Sequence, residues 1–382
     1  MSEAHGYLKA LLTNLRSLRE QAELSEIQLE EKLILGPGWV SQFESGSTVP
    51  SIDMVLAMLH EVGAGLDQLL NGLPAPEVSE VERSIFAEES GPNIVINFRY
   101  AKFDAQYTLH NSTLADFEVV IKTLRDGLAL LAKPDQTQSE AIKRDSVART
   151  FLTAVQRWPT ANPSDLWWFL VYRAYCDPYN HPAQYARLDF TQSWKRTGGW
   201  ALEEILVQHY GPFLKQHSVN LFIADSAEKH KLVSNLKLPD RVEADKIDVV
   251  LTGDINEGQC FFGVVHVKAS FAERRTDDVP MSIALNNGGY TSPLWTMDCK
   301  STPSAYPVNR GELGDIDGRR SAKRKDIEDE GYFTGCFSYN KNTQQSSNVL
   351  PAERRIYVCD FSNPDDVFSQ FILQRWQKFR ST

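Results

Sequence analysis

The sequence predicts a multidomain α/β protein: an all-helical N-terminal module, a small α+β unit in the middle, and a C-terminal domain built on a mixed sheet. Three observations predict it. Leu8, Leu11, Leu12, Leu15 and Leu18 recur at helical spacing. Asn93–Tyr100 and Phe103–Leu109 alternate as the arms of a hairpin do, and Leu114 to Leu131 then returns to helical spacing. Lys246–Asp254 and Cys260–Ser270 are apolar runs of strand character, joined by a Gly/Asp-rich break. At 382 residues the chain is long enough for two or three domains, each with its own core. The boundaries expected are 1–73, a linker over 74–92, a unit over 93–160 and a domain over 161–382.

The first helix is followed by Ser25–Gln28, a capping box that opens a second. Then come Leu33–Gly46, with Trp39, Val40, Ser41, Gln42 and Phe43 at its centre, the stretch Val49–Asp53, and Gly65–Leu70. This arrangement resembles the Cro/C1-type helix-turn-helix over nearly its full length. The resemblance implies that the second helix of the motif lies in the major groove, with Trp39, Ser41 and Gln42 facing bases and Val40 and Phe43 facing the core. Two features depart from it. Ile34 stands where that family usually has glycine, and residues 1–72 hold four basic side chains (Lys9, Arg16, Arg19, Lys32) against ten acidic ones. DNA affinity rests largely on phosphate neutralisation, so weak DNA reading and a protein-contact role stand side by side.

Pro74, Pro76 and several Glu and Ser residues give 74–92 the composition of a linker. The α+β unit that follows carries no recognisable chemistry, and a scaffold or dimer contact is its expected use. Asp165–Tyr172 with Tyr175, Tyr179 and Tyr185 reads as core where the last domain begins. Within that domain Gly198–Leu206 is a helix carrying Glu203 and Glu204, and Val219–Ala224 is a strand. The two apolar runs pair next, followed by a helix over Ala272–Ala284 and a strand over Ser292–Asp298.

Pairing of those runs brings Asp248 and Lys268 to one end of a small sheet. A carboxylate that holds Mg²⁺ and a lysine that polarises an attacking water are the minimal tools for cutting a phosphodiester. This spacing and element order resemble the PD-(D/E)xK nuclease core, which includes most type II restriction endonucleases. One departure matters: the residue two before the lysine is normally Asp or Glu, and here it is His266, a poor Mg²⁺ ligand. The missing acid is expected from Glu204 or Glu203 on the preceding helix, or from Asp277 or Asp278 on the following one. His266 is either a strand histidine with a hydrogen bond or a group at the metal. Asp298-Cys299-Lys300 also spells D-x-K, but it falls later than the pattern wants.

Lys268–Ser282 together with Val308–Gly314 resembles the ApaLI-like restriction endonucleases. That resemblance implies double-strand cleavage of unmodified DNA at a short palindrome, Mg²⁺ as cofactor, a homodimer matched to the palindrome, and a partner DNA methyltransferase. Arg274 and Arg275 suit guanine, and Asp277 and Asp278 suit cytosine N4, so this segment is a candidate base reader. Arg319, Arg320 and Lys323, with Arg324 and Lys325, form a basic run that is a candidate phosphate contact, balanced by the acids at 326–330.

The net charge of −10 is unevenly spread: residues 166–382 contribute only −1, so the sum does not exclude a nucleic-acid partner. No apolar stretch approaches membrane-spanning length, and the N-terminus lacks a signal-peptide pattern. Five scattered cysteines without a C-x-x-C pair indicate neither a disulfide framework nor a zinc site. A prokaryotic cytoplasm is the expected location. Two rival readings remain: a helix-turn-helix regulator on a degenerate nuclease fold, and a defence nuclease acting on modified DNA or RNA.

Overall fold

The computed structural model describes residues 2–73, 83–100, 103–132, 138–182, 189–235, 243–255, 258–270, 275–302, 305–314 and 320–381. Tyr185, Arg274 and Arg319 lie outside the described residues, as does the 74–82 part of the expected linker. The chain divides into two compact units, Met1–Glu82 and Arg83–Thr382.

The first unit is all helical: α1 (Ser2–Gln21), α2 (Glu26–Lys32), α3 (Trp39–Glu44), α4 (Ile52–Val62) and α5 (Leu66–Leu69). Its core gathers Leu12 and Leu15 from α1, Leu29 from α2, Val40 and Phe43 from α3, and Met58 and Leu59 from α4. The capping box forms as the sequence predicts, with the Gln28 backbone donating to Ser25 Oγ and the Ser25 backbone donating to Gln28 Oε1. Ile34 has φ +55° and is 93% exposed. The turn therefore demands a left-handed residue, which is why glycine suits it, and a β-branched side chain there is strained.

The second unit opens with an antiparallel sheet of β1 (Ile85–Ser90), β2 (Asn93–Tyr100) and β3 (Phe103–Leu109). The strand β1 lies inside the stretch expected to be a linker. Its polar, mostly exposed residues hide the strand from a reading based on apolar alternation. Helix α6 (Leu114–Ala129) packs on this sheet, and α7 (Ser139–Arg157) packs on α6. Next come α8 (Pro163–Asp165), a π-helical turn over Leu166–Val171, and α9 (Tyr172–Cys176). Leu166, Trp167, Phe169, Leu170 and Val171 are buried, as the sequence predicts for this aromatic run.

A 27-residue helix, α10 (Phe190–Gln216), leads to β4 (Val219–Phe222), α11 (Ser226–Asn235) and the hairpin β5 (Val249–Ile255) and β6 (Gly258–Lys268). The chain continues through α12 (Arg275–Asn287), β7 (Leu294–Thr296), α13 (Ala322–Glu328), β8 (Cys336–Ser338), β9 (Ile356–Val358) and α14 (Val367–Arg380). Strands β4 to β9 form one six-stranded sheet in sequence order. Its first three strands are antiparallel, and from β6 onward the pairs are parallel. One core runs from Ile94 and Phe117 through Trp167 and Leu206 to Trp295 and Trp376. The 93–160 unit expected to stand apart is thus packed into the same body as the mixed sheet. Its apolar faces are too large to be closed by three strands and two helices alone.

The junction of β6 and β7 fixes the end of the sheet from which the active site is built. Val264 donates to Thr291 O and Thr291 donates to Phe262 O, so the backbones of Gly263 and Thr291 meet. A Cβ on Gly263 would stand 2.1 Å from Thr291 O. The obstacle is backbone and cannot swing aside. Gly263→Ala should therefore cost about 1–3 kcal/mol through overpacking, read as a lower denaturation midpoint, and an unchanged midpoint would show that the strands part freely there.

Candidate active site

Asp248 immediately precedes β5, and β5 pairs with β6 through Val249 opposite Val265. That register sends Asp248 and the last residues of β6 to the same end of the sheet. Asp248 Oδ2 accepts the backbone N–H of Val267 at 2.8 Å and the Lys268 ammonium at 2.6 Å. Both side chains are nearly buried. An ammonium so placed needs opposite charge, and a second carboxylate provides it: Asp278 Oδ1 from α12 lies 3.5 Å from Lys268 Nζ.

Asp278 is 2% exposed, so it does not read bases as the sequence suggests. It lies instead beside the lysine, with Oδ1 3.5 Å from Lys268 Nζ. The side chains of Arg275 and Asp277 fall outside the described residues, while α12 itself begins at Arg275.

The two glutamates of α10 part company. Glu204 accepts from Gln208 Nε2 at 3.0 Å and pairs with Arg144 Nε of α7 at 3.0 Å, so it is held away from Lys268. Its neighbour Glu203 is half-buried, and its carboxyl is pushed up to about 8 by burial first and then by the negative charge of Asp248. Of the two acids named from sequence, Glu203 is the one that lies in the electrostatic field of Asp248 and Lys268, while Glu204 is engaged by Arg144 and Gln208. Consecutive residues on a helix diverge by about 100°, and only the packing of α10 against α7 and the sheet decides between them.

His266 is fully buried, and burial pushes it down to about 3, so the ring is neutral. Its Nε2 lies 2.8 Å from Ser292 Oγ, and Ser282 Oγ donates to Ser292 Oγ at 2.8 Å. Its Nδ1 faces Asp278 Oδ1 at 3.9 Å. The sequence offers no signal for Ser282 or Ser292, because each reaches His266 only through the fold.

The other candidates are placed elsewhere. Asp298, of the second D-x-K, has φ +46° and is buried. Its oxygens accept the backbone N–H groups of Glu312 (2.6 Å) and Leu313 (3.2 Å) and the Thr343 hydroxyl (2.7 Å). These bonds fill a loop-fastening role. Arg320 pairs with Glu328 and Asp329, and Lys323 pairs with Glu312. The basic run is thus half of an internal ion-pair network on α13 and not a free phosphate arm, with Arg324 fully buried against the carbonyls of Leu313, Gly314 and Gln344. In the helical unit Trp39, Ser41 and Gln42 are exposed on α3, and Val40 and Phe43 are buried. Arg19 makes two hydrogen bonds to Glu44, Arg16 pairs with Glu20, and Lys32 pairs with Glu61.

Among the described residues no three acidic, histidine or cysteine side chains stand close enough to enclose a metal ion by themselves. Asp248 and Glu203 nevertheless suit a hard divalent cation. Mg²⁺ commonly takes one or two carboxylates and completes its shell with water and substrate phosphate. No helix among the described residues is long and apolar enough to cross a membrane.

Comparison with known proteins gives three findings. A family profile described as a helix-turn-helix domain matches residues 10–83. The type II restriction enzyme AgeI of Thalassovita gelatinovora is 39% identical over 238 residues, which is 60% of this chain and 83% of that protein. The crystal structure of a specific AgeI–DNA complex superposes with TM-score 0.64 and 34% identity, covering 74% of this chain and 99% of that one. These findings do not bear on the ApaLI-like resemblance of 268–282.

The burial of Glu203, with the charge of Asp248 beside it, predicts a pH effect. Its carboxyl titrates near 4.5 when unfolded and near 8 when folded, so its contribution to stability is present below about pH 4.5 and lost as pH rises through about 8. Metal-free Glu203→Gln should lose less stability than the wild type over that window. Equal losses in thermal melts would mean that folding does not raise the Glu203 carboxyl.

Proposed function

This chain belongs to the type II restriction endonucleases and so cuts DNA at specific sites; we propose that it does so from the pocket around Asp248 and Lys268, with Mg²⁺ as cofactor. One observation carries this reading. Lys268 ends β6 with its ammonium between Asp248 at 2.6 Å and Asp278 at 3.5 Å, and Glu203 lies in the field of Asp248.

Asp248 and Glu203 would hold the metal. When bound, Mg²⁺ offsets charge on the scissile phosphate and lowers the pKa of a coordinated water. Lys268 would orient that water and stabilise the negative charge that builds on the phosphate as the water oxygen bonds to phosphorus and the bond to the leaving sugar oxygen breaks. Asp278 keeps the lysine charged and aimed. Until substrate arrives, the Lys268 ammonium offsets one of the two carboxylate charges beside it, which lowers the cost of keeping these groups nearly buried.

The substrate proposed is duplex DNA, as in the AgeI complex, with a short palindromic site. A palindrome matches two-fold symmetry, so a homodimer with one such pocket per strand follows, and a methyltransferase is needed to protect the host's own sites. Arg274, Arg275 and Asp277 remain the proposed base readers, and Arg319 remains a proposed phosphate contact.

The helical unit reads differently. Three of its four basic side chains are already paired with acids of the same unit. The unit therefore adds little phosphate neutralisation, and Trp39, Ser41 and Gln42 of α3 are proposed to contribute weak reading at most.

Lys268→Ala should lower cleavage of unmethylated DNA in Mg²⁺ by about a thousandfold or more, while binding in Ca²⁺ keeps its affinity. Chelation should stop the wild type altogether. Cutting by Lys268→Ala at the wild-type rate would remove the assignment.

A further inference from the structure

His266 is the position at which this chain departs from the motif, and it has no place in the chemistry above. Its surroundings are explicit. The ring is fully buried between Ser292, whose Oγ is 2.8 Å from Nε2, and Asp278, whose Oδ1 is 3.9 Å from Nδ1. Phe333 packs edge-on against it, with ring centroids 5.4 Å apart. Nδ1 has no hydrogen-bond partner among the described residues. A buried ring nitrogen without a partner calls for an explanation.

Two hydroxyl arrangements satisfy the serines. In the first, Ser282 donates to Ser292 Oγ at 2.8 Å, the Ser292 hydroxyl donates to His266 Nε2, and the ring proton sits on Nδ1. In the second, the ring donates from Nε2 to Ser292, Ser292 donates to Ser282, and Ser282 donates to Ser292 O at 3.3 Å. The second turns the lone pair of Nδ1 toward the Asp278 carboxylate, and two electron-rich groups then face each other in a buried place. The first turns an N–H toward that carboxylate. Electrostatics selects the first.

We propose that His266 is a positioning residue: as the neutral Nδ1–H tautomer, fixed from behind by Ser282 and Ser292, it orients the Asp278 carboxylate and through it the Lys268 ammonium. The buried series Ser282, Ser292, His266, Asp278, Lys268 and Asp248 ties α12, the segment before β7, β6 and the start of β5 into one unit. A carboxylate at 266 would aim at a cation directly. The imidazole instead turns an acid that arrives from the next helix. The donor at 3.9 Å is too distant for a formed hydrogen bond, and the bond closes when phosphate and cation draw Asp278 and Lys268 into place.

The proposal rests on Asp248 and Lys268 being the cutting site, and its test separates the two. Long-range ¹H–¹⁵N correlation spectra of the metal-free protein, with His266 assigned by its loss in His266→Asn, report the tautomer directly. A proton on Nδ1 is expected, and a proton on Nε2 overturns the proposal. In single-turnover cleavage His266→Leu should fall on the order of 10–100-fold, the range found when groups behind a ligand are removed, with DNA affinity in Ca²⁺ unchanged. His266→Asn, whose amide can donate from nearly the Nδ1 position, should recover most of that loss. Leucine and asparagine variants that cut equally well overturn the positioning role. Cutting that survives in Asp248→Ala and Lys268→Ala would instead remove the site reading beneath it.

Discussion

The Lys268 ammonium, held at the end of β6 between Asp248 and Asp278, is the constraint on which the rest of this structure depends. An ammonium at 8% exposure is costly unless its charge is answered, and it is answered from two different elements. Asp248 comes from the adjacent strand and also fastens the Val267 backbone. Asp278 comes from α12, which therefore has to return across the end of the sheet. The helix-to-sheet packing that brings Asp278 back also buries Met281 and Leu285 against Val250 and Val264. The apolar contacts hold α12 in place, and the charge arrangement relies on that hold. Hydrophobic burial contributes more to the fold than the ion pairs do, and it makes the ionic arrangement possible.

The mixed character of the sheet has the same purpose. An antiparallel β5–β6 pair delivers Asp248 and Lys268 to one end, because antiparallel neighbours bring the start of one strand beside the finish of the other. The parallel β6–β7 pair then lets the chain leave through α12 and return on the far side of Lys268, with Thr296 as its partner. An all-antiparallel meander would join β6 to β7 by a tight turn and leave no crossover to carry Asp278. The close approach at Gly263 is where the two pairings meet.

What is legible in the sequence follows from local pattern. The pairing of the runs around Asp248 and Lys268, the helix-turn-helix with Val40 and Phe43 inside, and the aromatic run 166–171 all rest on spacing within a few residues, and all are found. The choice between Glu203 and Glu204 is not legible, since only the tertiary position of α10 separates two adjacent glutamates. The same holds for Asp278, which looks like a surface acid until α12 is laid against β6. The run Arg320, Lys323 and Arg324 looks like a basic arm because its partners Glu312 and Glu328 and the carbonyl of Gln344 gather only on folding. The strand β1 escapes a sequence reading because only Ile85 is fully buried, and its register is set by pairing with β2.

Asp248 and its neighbours are proposed to bind the metal that cutting requires, and everything said of Lys268 and His266 follows from that. The most direct measurement is anomalous diffraction from crystals of the protein soaked in Mn²⁺, a cation with oxygen-ligand preferences close to those of Mg²⁺. The expected result is an ion coordinated by the carboxylates of Asp248 and Glu203 beside the Lys268 ammonium. An ion bound elsewhere, for instance at Asp298 and Glu312, with none at Asp248, would contradict it.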